Sequence, residues 1–598
     1  MNIQEADILQ KLHEEPFINQ RILSKSSGHS LGVVNKVIKS LTDAGYLTDD
    51  VAMTGLATEE FDRCAPKSAI ILAAGFGVRM VPINVLQPKG LLEVHGEPLI
   101  ERLITQLHEV GITDITVVVG FMKGSFDYLV DKFGVRLKVN PDYAGKNNLH
   151  SLALVADRIS NTYIIPSDIW CESNPFSTHE LRSWYMVSDL VDDDSTVRVN
   201  RRGQLVRVHG DSAGNSMVGI AYLLEDDAAL LRASLRAMAS NPQHDSDFWE
   251  EALYRGEVMR IPAKVVPSMS VFEIDTYEQL RELDSNSNQL KSDALNTIAG
   301  VFGVQTTDIT DIAVLKKGMT NRSFIFTCNG AQYIMRIPGE GTDQLIDREQ
   351  EAAAYAAIAG KGLCDDPVFL DPASGYKITR YLDGVRVCDC EFDPDLMRCM
   401  EKLKGFHRMR LESPYTFDIF ERTDFYESLW NGAPSEYRDY AETKANVFSL
   451  ASYVESQPHD WCLTHIDAVP DNFLFHPSGD GEALQLTDWE YSGMQDPHVD
   501  IAMFSIYSMY DRAQIDHLID IYFADEGGCP TATRAKIYCY VAMCGLLWSN
   551  WCEYKRNLGV EFGEYSLAQY RYGKDFYRYA HELMDAAAAE AAEGDSAC

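Results

Sequence analysis

From residue 68 the chain repeats one pattern, in which a short apolar run alternates with a stretch of helical spacing. The runs are "SAIILAA" (68–74), "DITVVVG" (114–120), "VRLKVN" (135–140) and "TYIIPSD" (162–168). Between the first two lies "EPLIERLITQLHEVG", whose Leu99, Leu103, Ile104 and Leu107 fall on one helical face. Parallel strands need a crossover, and a helix of that length supplies it, so the pattern predicts a mostly parallel sheet covered by helices.

At 598 residues the chain is too long for one core, and usual domain sizes give roughly three or four units. Residues 1–66 read as a small helical unit. In "HSLGVVNKVIKSLTDAGYL", Ser30 is an N-cap, Leu31, Val34, Ile38 and Leu41 share a face, Gly45 stops the helix, and "YLT" opens a strand. A preceding helix, "FINQRILSKSSG", completes a helix-turn-helix pattern. Residues 67–283 carry the strand-helix alternation. The polar "DSNSNQ" predicts a structureless linker over 284–290, and 291–598 begins with "SFIFTC" and "QYIMRIP" and turns helical and aromatic. The terminal "DAAAAEAAEGDSAC" is low in complexity and is expected to fray.

Composition narrows the function. The net charge of −36 opposes general affinity for nucleic acid backbones, which need dense positive charge. Thirteen cysteines show no paired spacing, and Cys388-x-Cys390 lacks the second pair a zinc site needs, so reduced thiols in a cytoplasmic protein are expected. "MNIQEADILQ" has no basic or apolar leader, and the longest apolar run, Val541 to Trp548, is far short of a membrane span.

The first chemical signature is Leu72-Ala73-Ala74-Gly75-Phe76-Gly77 at a strand end, with Arg79 beyond it. Glycines there let backbone N–H groups approach a phosphate, but the spacing matches neither G-x-G-x-x-G nor a P-loop. "QPKGLLEVHGEPLIE", "NPDYAGKNNLHSL" and "PSDIW" follow in order. Together these four motifs resemble the bacterial CTP:phosphocholine cytidylyltransferases over residues 68 to about 283.

The resemblance implies that a substrate phosphate attacks the α-phosphorus of CTP and displaces pyrophosphate. Such like-charged reactants need cations and a divalent metal more than proton transfer. By the same resemblance the Leu72–Gly77 loop and Arg79 hold the triphosphate, Lys89 pairs with a phosphate, and Asp168 and Asp275 hold Mg²⁺ through hard oxygens. Asp275 could instead cap the helix of "DTYEQL". Asn148 and Ser151 touch the nucleotide or shape the loop. Trp249, beside Asp245 and Asp247, matches an aromatic expected to face a quaternary ammonium. "SDLVDDDSTVRVNRRG" matches poorly, and a second aromatic expected there is missing.

The second signature is His465-x-Asp467 in "LTHIDAVPDNFLF", with Asn472 beyond it and Asp488 in "LQLTDWEYSGMQDP". This resembles the layout of kinase-like phosphotransferases, which implies that Asp467 would orient or deprotonate an alcohol, that Asn472 and Asp488 would hold Mg²⁺ on ATP, and that His465 would prop the loop. "LKKGMTNRSFIF" contributes Asn321 near the loop over the phosphates. "QYIMRIPGEGTDQLIDREQE" offers Arg336 on a strand and Glu351, or Glu349, as its helical partner. Tyr381 and Leu382 sit where a hinge meets adenine. "GMTN", "GEGTDQLI" and "DWEY" resemble the bacterial choline kinases over most of 310–580. That resemblance implies a cage for a quaternary ammonium from Glu490, Tyr491, Trp548 and Trp551, the two tryptophans three apart on one helix; the bland alternative is that they are core.

Both halves point one way. A kinase would make phosphocholine from choline and ATP, and a transferase would make CDP-choline from phosphocholine and CTP. The first unit resembles the winged helices of bacterial regulators, with Asn35, Lys36 and Lys39 facing DNA. Its six Lys and Arg against ten Asp and Glu, a net −4, weigh against that role and leave docking or dimerisation open. A regulator with metabolite-sensing domains, or an ethanolamine or other amino-alcohol substrate, is the alternative.

Overall fold

The computed structural model describes the chain except residues 16, 78–79, 81, 84–86, 193–194, 209–212, 316–320, 340–344, 459, 480, 558–561 and 597–598, and the side chains of 192 and 593–596. It divides into two compact units, Met1–Val314 and Leu315–Cys598.

The first unit opens with helices α1 (Ile3–Glu14), α2 (Gln20–Ser27), α3 (Leu31–Asp43) and α4 (Gly55–Cys64). Asn2 and Glu5 form a capping box on α1, and Ser30 Oγ accepts from Val33 N to cap α3. Val34, Val37, Ile38 and Leu41 are buried, whereas Leu31 is exposed: the first turn of α3 overhangs the core, and Val37 takes the place given to Leu31. Gly45 ends the helix with φ +81°, a conformation that glycine adopts without strain. The strand expected from "YLT" is a single bridge, Leu47 to Met53.

The large sheet is built from β1 (Ser68–Ala73), β2 (Ile115–Val119), β3 (Arg136–Val139), β4 (Thr162–Pro166), β6 (Trp184–Asp192), β7 (Val197–Val199), β8 (Gln204–Arg207), β9 (Gly214–Leu223) and β10 (Val258–Val266), in the order β3-β2-β1-β4-β9-β6-β10-β8-β7. The four strands expected from the sequence pair in parallel; β9 is antiparallel to its neighbours. A short strand, β5 (Ile169–Cys171), pairs with β11 (Val271–Glu273). Alternate residues of β1 feed two cores, Ala69 and Ile71 to one face and Ile70 and Leu72 to the other, as a sheet covered on both sides requires. Helix α5 (Leu99–Glu109) crosses between β1 and β2 with Leu99, Leu103, Ile104 and Leu107 fully buried, and α6 (Glu225–Ala239) and α7 (Tyr277–Leu283) follow in the chain.

The 284–290 stretch differs from the structureless expectation. Asp284 accepts from His95 N, Ser287 Oγ donates to Glu93 O, and Asn288–Leu290 forms a 3₁₀ turn. Its polar side chains satisfy backbone groups instead of facing water, which composition cannot distinguish.

In the second unit β12 (Asn321–Cys328) and β13 (Ala331–Pro338) form an antiparallel hairpin. The sheet continues through β15 (Tyr376–Arg380) to β14 (Phe369–Asp371). Helix α8 (Arg348–Ile358) follows the hairpin, capped by Asp347. A strand pair, Cys462–Thr464 with Gly493–Gln495, and the hairpin Phe473–Ser478 with Gly481–Leu486 frame a loop. The helices α9 (Asp393–Arg408), α10 (His498–Tyr507), α11 (Arg512–Tyr522), α12 (Thr531–Asn557) and α13 (Glu564–Ser596) surround it. Helix α13 runs through the tail expected to fray, because alanine has the highest helix propensity. No helix among the described residues is long and apolar enough to cross a membrane.

Candidate active sites

In the first unit β1 ends at the glycine loop, and Leu72 to Gly77 line a cavity of about 780 Å³ together with Lys89, Asn148, Ser151, Asp168, Asp245, Trp249 and Asp275. Arg79 lies outside the described residues. Gly77 has φ +59°, and a Cβ there would lie 2.7 Å from Lys89 Cγ, so glycine is needed both for the turn and for the lysine beside it.

Lys89 Nζ is 2.7 Å from Asp168 Oδ2 and is also bonded to Asp275 Oδ1. Burial works against the ammonium, but the two carboxylates outweigh it and raise the Lys89 pKa above its usual value. Glu273, which the sequence reading missed, joins them: oxygens of Asp168, Glu273 and Asp275 all lie within 4.8 Å of one another. Three hard carboxylates in a cavity fit a divalent cation such as Mg²⁺. Thr276, not Asp275, caps the helix Tyr277–Leu283. Glu273 stands two residues before Asp275 on the same extended stretch, and the period-two alternation of a strand places both on one side.

Other named residues shape the cavity. Asn148 Oδ1 accepts from Trp249 N at 2.8 Å, and Ser151 Oγ accepts from buried Asn140 at 2.9 Å. Asp245 pairs with His150 (3.1 Å) and Asp247 with His244 (2.7 Å). Trp249 is 1% exposed and belongs to the core, whereas its neighbour Phe248 is 59% exposed at the cavity. Tyr185, ahead of the poorly matching stretch, also lines it and donates to Glu250 Oε1 at 3.0 Å. Glu250 Oε2 is buried with no partner among the described residues. Burial pushes this carboxyl up to about 7.

In the second unit Arg336 on β13 grips Glu351 on α8 through both carboxylate oxygens, Nη2 to Oε2 at 2.7 Å. Glu349, the alternative partner, is exposed. Arg348 and Lys377 each stand 3.2 Å from Glu351 as well. Burial alone would raise the carboxyl, but Lys377, Arg336 and Arg348 outweigh it and hold Glu351 at about 2. Lys377 extends to Asp488 at 3.8 Å. Asn321 receives a bond from Arg348 and donates to Glu490.

On the loop framed by the strands Cys462–Thr464 and Phe473–Ser478, Asn472 Nδ2 donates to Asp467 Oδ2 at 3.0 Å. Burial, then the charges of Asp488 and Glu490, push Asp467 up to about 8. Asp488 has φ +65° and Ile466 φ +68°, strained positions typical of a site whose geometry the surroundings enforce. His465 is buried, its Nε2 against Thr487 O and its ring 4.5 Å from Trp489, as expected of a prop. Asp500, unforeseen from sequence, accepts from the backbone N–H of His465 and Ile466 and faces His407. Tyr381 N donates to Gln332 O, and Leu382 follows it out of β15.

Tyr491, Trp548 and Trp551 come together, with ring centres 5.8 and 5.5 Å apart. Trp551 is buried in the core while Trp548 is partly exposed. Glu490 turns away toward Arg336 and Arg348, at 3.7 and 3.6 Å.

The fold and the two sites define a transferase with a nucleotidyltransferase and a kinase-like phosphotransferase in one chain. Family models match as a winged helix-turn-helix DNA-binding domain (1–48), a MobA-like NTP transferase domain (69–173) and the phosphotransferase enzyme family (311–538). The choline-phosphate cytidylyltransferase of Streptococcus pneumoniae is 32% identical over 236 residues, covering 37% of this chain and 99% of the relative. A 2-aminoethylphosphonate cytidylyltransferase of Lancefieldella rimae is 30% identical, covering 36% and 92%. Protein LicA of Haemophilus influenzae is 28% identical over 262 residues, covering 42% and 75%. The crystal structure of choline kinase LicA from Streptococcus pneumoniae aligns at 27% identity and TM-score 0.42, over 48% of this chain and 97% of that one. The chain belongs to the family of the choline-phosphate cytidylyltransferases, joined to a phosphotransferase.

Proposed function

We propose that the chain phosphorylates choline with ATP and then transfers CMP from CTP to the phosphocholine, releasing CDP-choline and pyrophosphate. Residues 67–283 carry the second step and 291–598 the first. The observation that carries this reading is the pairing itself: a region matching a choline-phosphate cytidylyltransferase along 99% of its length shares a chain with a phosphotransferase. The product of one is the substrate of the other.

In the kinase, Asp467 orients the hydroxyl, and in its ionised form takes the proton, as the alcohol oxygen attacks the γ-phosphorus and the bond to ADP breaks. Asn472 and Asp488 hold Mg²⁺, Arg336 and Glu351 with Asn321 brace the phosphate side, and Tyr381 and Leu382 meet adenine. Tyr491 and Trp548 offer faces to the quaternary ammonium, with Trp551 behind them, while Glu490, expected in the cage, is held by Arg336 and Arg348 instead. In the transferase, a phosphate oxygen of phosphocholine attacks the α-phosphorus of CTP, and the bond to pyrophosphate breaks. Lys89 neutralises phosphate charge, as Arg79 would at the loop edge. Leu72 to Gly77, Asn148 and Ser151 form the CTP wall, and Asp168 and Asp275 with Glu273 hold Mg²⁺, which supplies charge neutralisation when bound. Phe248, backed by Trp249 and flanked by Asp245, faces the ammonium.

A phosphonate already carries phosphorus on carbon and needs no kinase. The phosphotransferase therefore favours a phosphate ester over 2-aminoethylphosphonate. The winged helix exposes Asn35, Lys36 and Lys39 on α3, a face suited to DNA, which a gel-shift assay tests. Nucleotide supply and unpaired cysteines fit the cytoplasm. The test of the main reading is ³¹P NMR with Mg²⁺, ATP, CTP and choline, omitting each nucleotide in turn. Phosphocholine with ATP alone, and CDP-choline only once CTP is added, is the expected result; no turnover of choline overturns it.

A further inference from the structure

A second cavity, about 270 Å³, lies inside the first unit between α1 of the winged helix and strands β6 and β10 of the catalytic sheet. Charged groups line it, and they are unevenly satisfied. Asp7 is matched by Arg182 and His29 at 3.2 Å each. Glu14 is matched by Lys11 at 2.7 Å and by Gln10 at 3.2 Å. Glu180 accepts from Tyr163 OH and Trp184 Nε1. Every carboxylate is therefore engaged.

Of the cations, Lys11 is taken up by Glu14, but Arg182 and Lys264 are less completely matched. Arg182 spends Nε and Nη2 on Asp7, while its buried Nη1 has no partner among the described residues. Lys264 Nζ lies 3.9 Å over the ring of Trp184, with only a 3.4 Å contact to Pro175 O and a distant 3.8 Å approach to Glu180. Burial holds its ammonium below the usual lysine value. Across the cavity, Gln10 donates to His179 O, yet its buried Oε1 has no partner among the described residues. An unpaired buried donor or acceptor costs about 1–3 kcal/mol, so Arg182 Nη1 and Gln10 Oε1 are the two atoms that a ligand here would satisfy.

We propose that this cavity binds a small oxyanion, a phosphate or carboxylate compound bearing one hydrogen-bond donor, held by Arg182 and Lys264 from the catalytic sheet and by Gln10 from the winged helix. Such a ligand ties the two modules together. It also has a route to the catalytic cavity: Trp184 and Tyr185 are consecutive on β6 and point to opposite faces, and Tyr185 bonds Glu250 in the CTP cavity. The winged helix then serves as one wall of a regulatory site for the transferase.

The test is hydrogen–deuterium exchange on the full chain, with CTP and Mg²⁺ saturating so that the catalytic cavity is filled. Inorganic phosphate and lactate, each of which carries one or more O–H donors, are titrated in separate arms. The expected result is slowed exchange in peptides covering 3–14 and 177–184 with at least one anion, the arm that responds identifying the phosphate or the carboxylate source. Arg182→Met and Lys264→Met should each weaken that apparent affinity roughly ten- to a hundredfold. Slowing by neither anion overturns the site, as does slowing unchanged in Lys264→Met, a variant that leaves the Arg182–Asp7 pair intact should Arg182→Met fail to fold.

Discussion

Lys89 Nζ stands 2.7 Å from Asp168 Oδ2 although 79 residues separate them in the chain. The turn after the glycine loop and the end of β4 converge there, with Asp275 on the same ammonium. Lys89→Met should lower kcat/KM for cytidylyl transfer about 10²–10³-fold and leave choline phosphorylation unchanged. Separate assays of the two steps check this.

Glu351 is fully buried among Arg336, Arg348 and Lys377. Glu351→Gln strands these cations and should cost about 3–5 kcal/mol of the second unit's stability, read by denaturant unfolding. Its folded pKa, about 2, lies below the ordinary 4.5, so the stabilisation is present above pH 4.5 and is lost as pH falls from there toward 2. The difference between wild type and variant should shrink over that window.

Glu250 runs the other way. Its folded pKa, about 7, lies above the ordinary 4.5, so the folded state holds the proton more tightly and stability falls as pH rises from 4.5 to 7. Glu250→Gln should remove this slope, gaining up to about 3 kcal/mol at pH 8, measured by thermal unfolding across pH.

Phe248 and Trp249 should separate by assay. Phe248→Ala is expected to raise KM for phosphocholine about 2- to 30-fold, the range of one cation–π contact, with KM for CTP unchanged. Trp249→Ala, at 1% exposure, should instead destabilise the unit by about 3–5 kcal/mol.

Much of the site was legible because its chemistry is local in sequence. Gly75 and Gly77 follow an apolar strand, and Asp467 and Asn472 sit five apart on one loop, so type and spacing suffice. Glu273 carried a local signal, two residues before Asp275 on one strand face, whereas Lys377 and Asp500 each act through a partner distant in the chain. Lys377 is 26 residues from Glu351, and Asp500 is 35 from His465. Nothing near them in sequence signals a charge partner.

The sequence by itself determined the alternation of strands and crossovers, the cap at Ser30 and the two nucleotide motifs, since periodicity and turn chemistry act within a few residues. Only the tertiary structure decided that Phe248 faces the cavity while Trp249 is core, that Glu351 rather than Glu349 meets Arg336, and that 284–290 is tied down. Those choices depend on which side chains meet across long separations, where burial and charge pairing outweigh local preference.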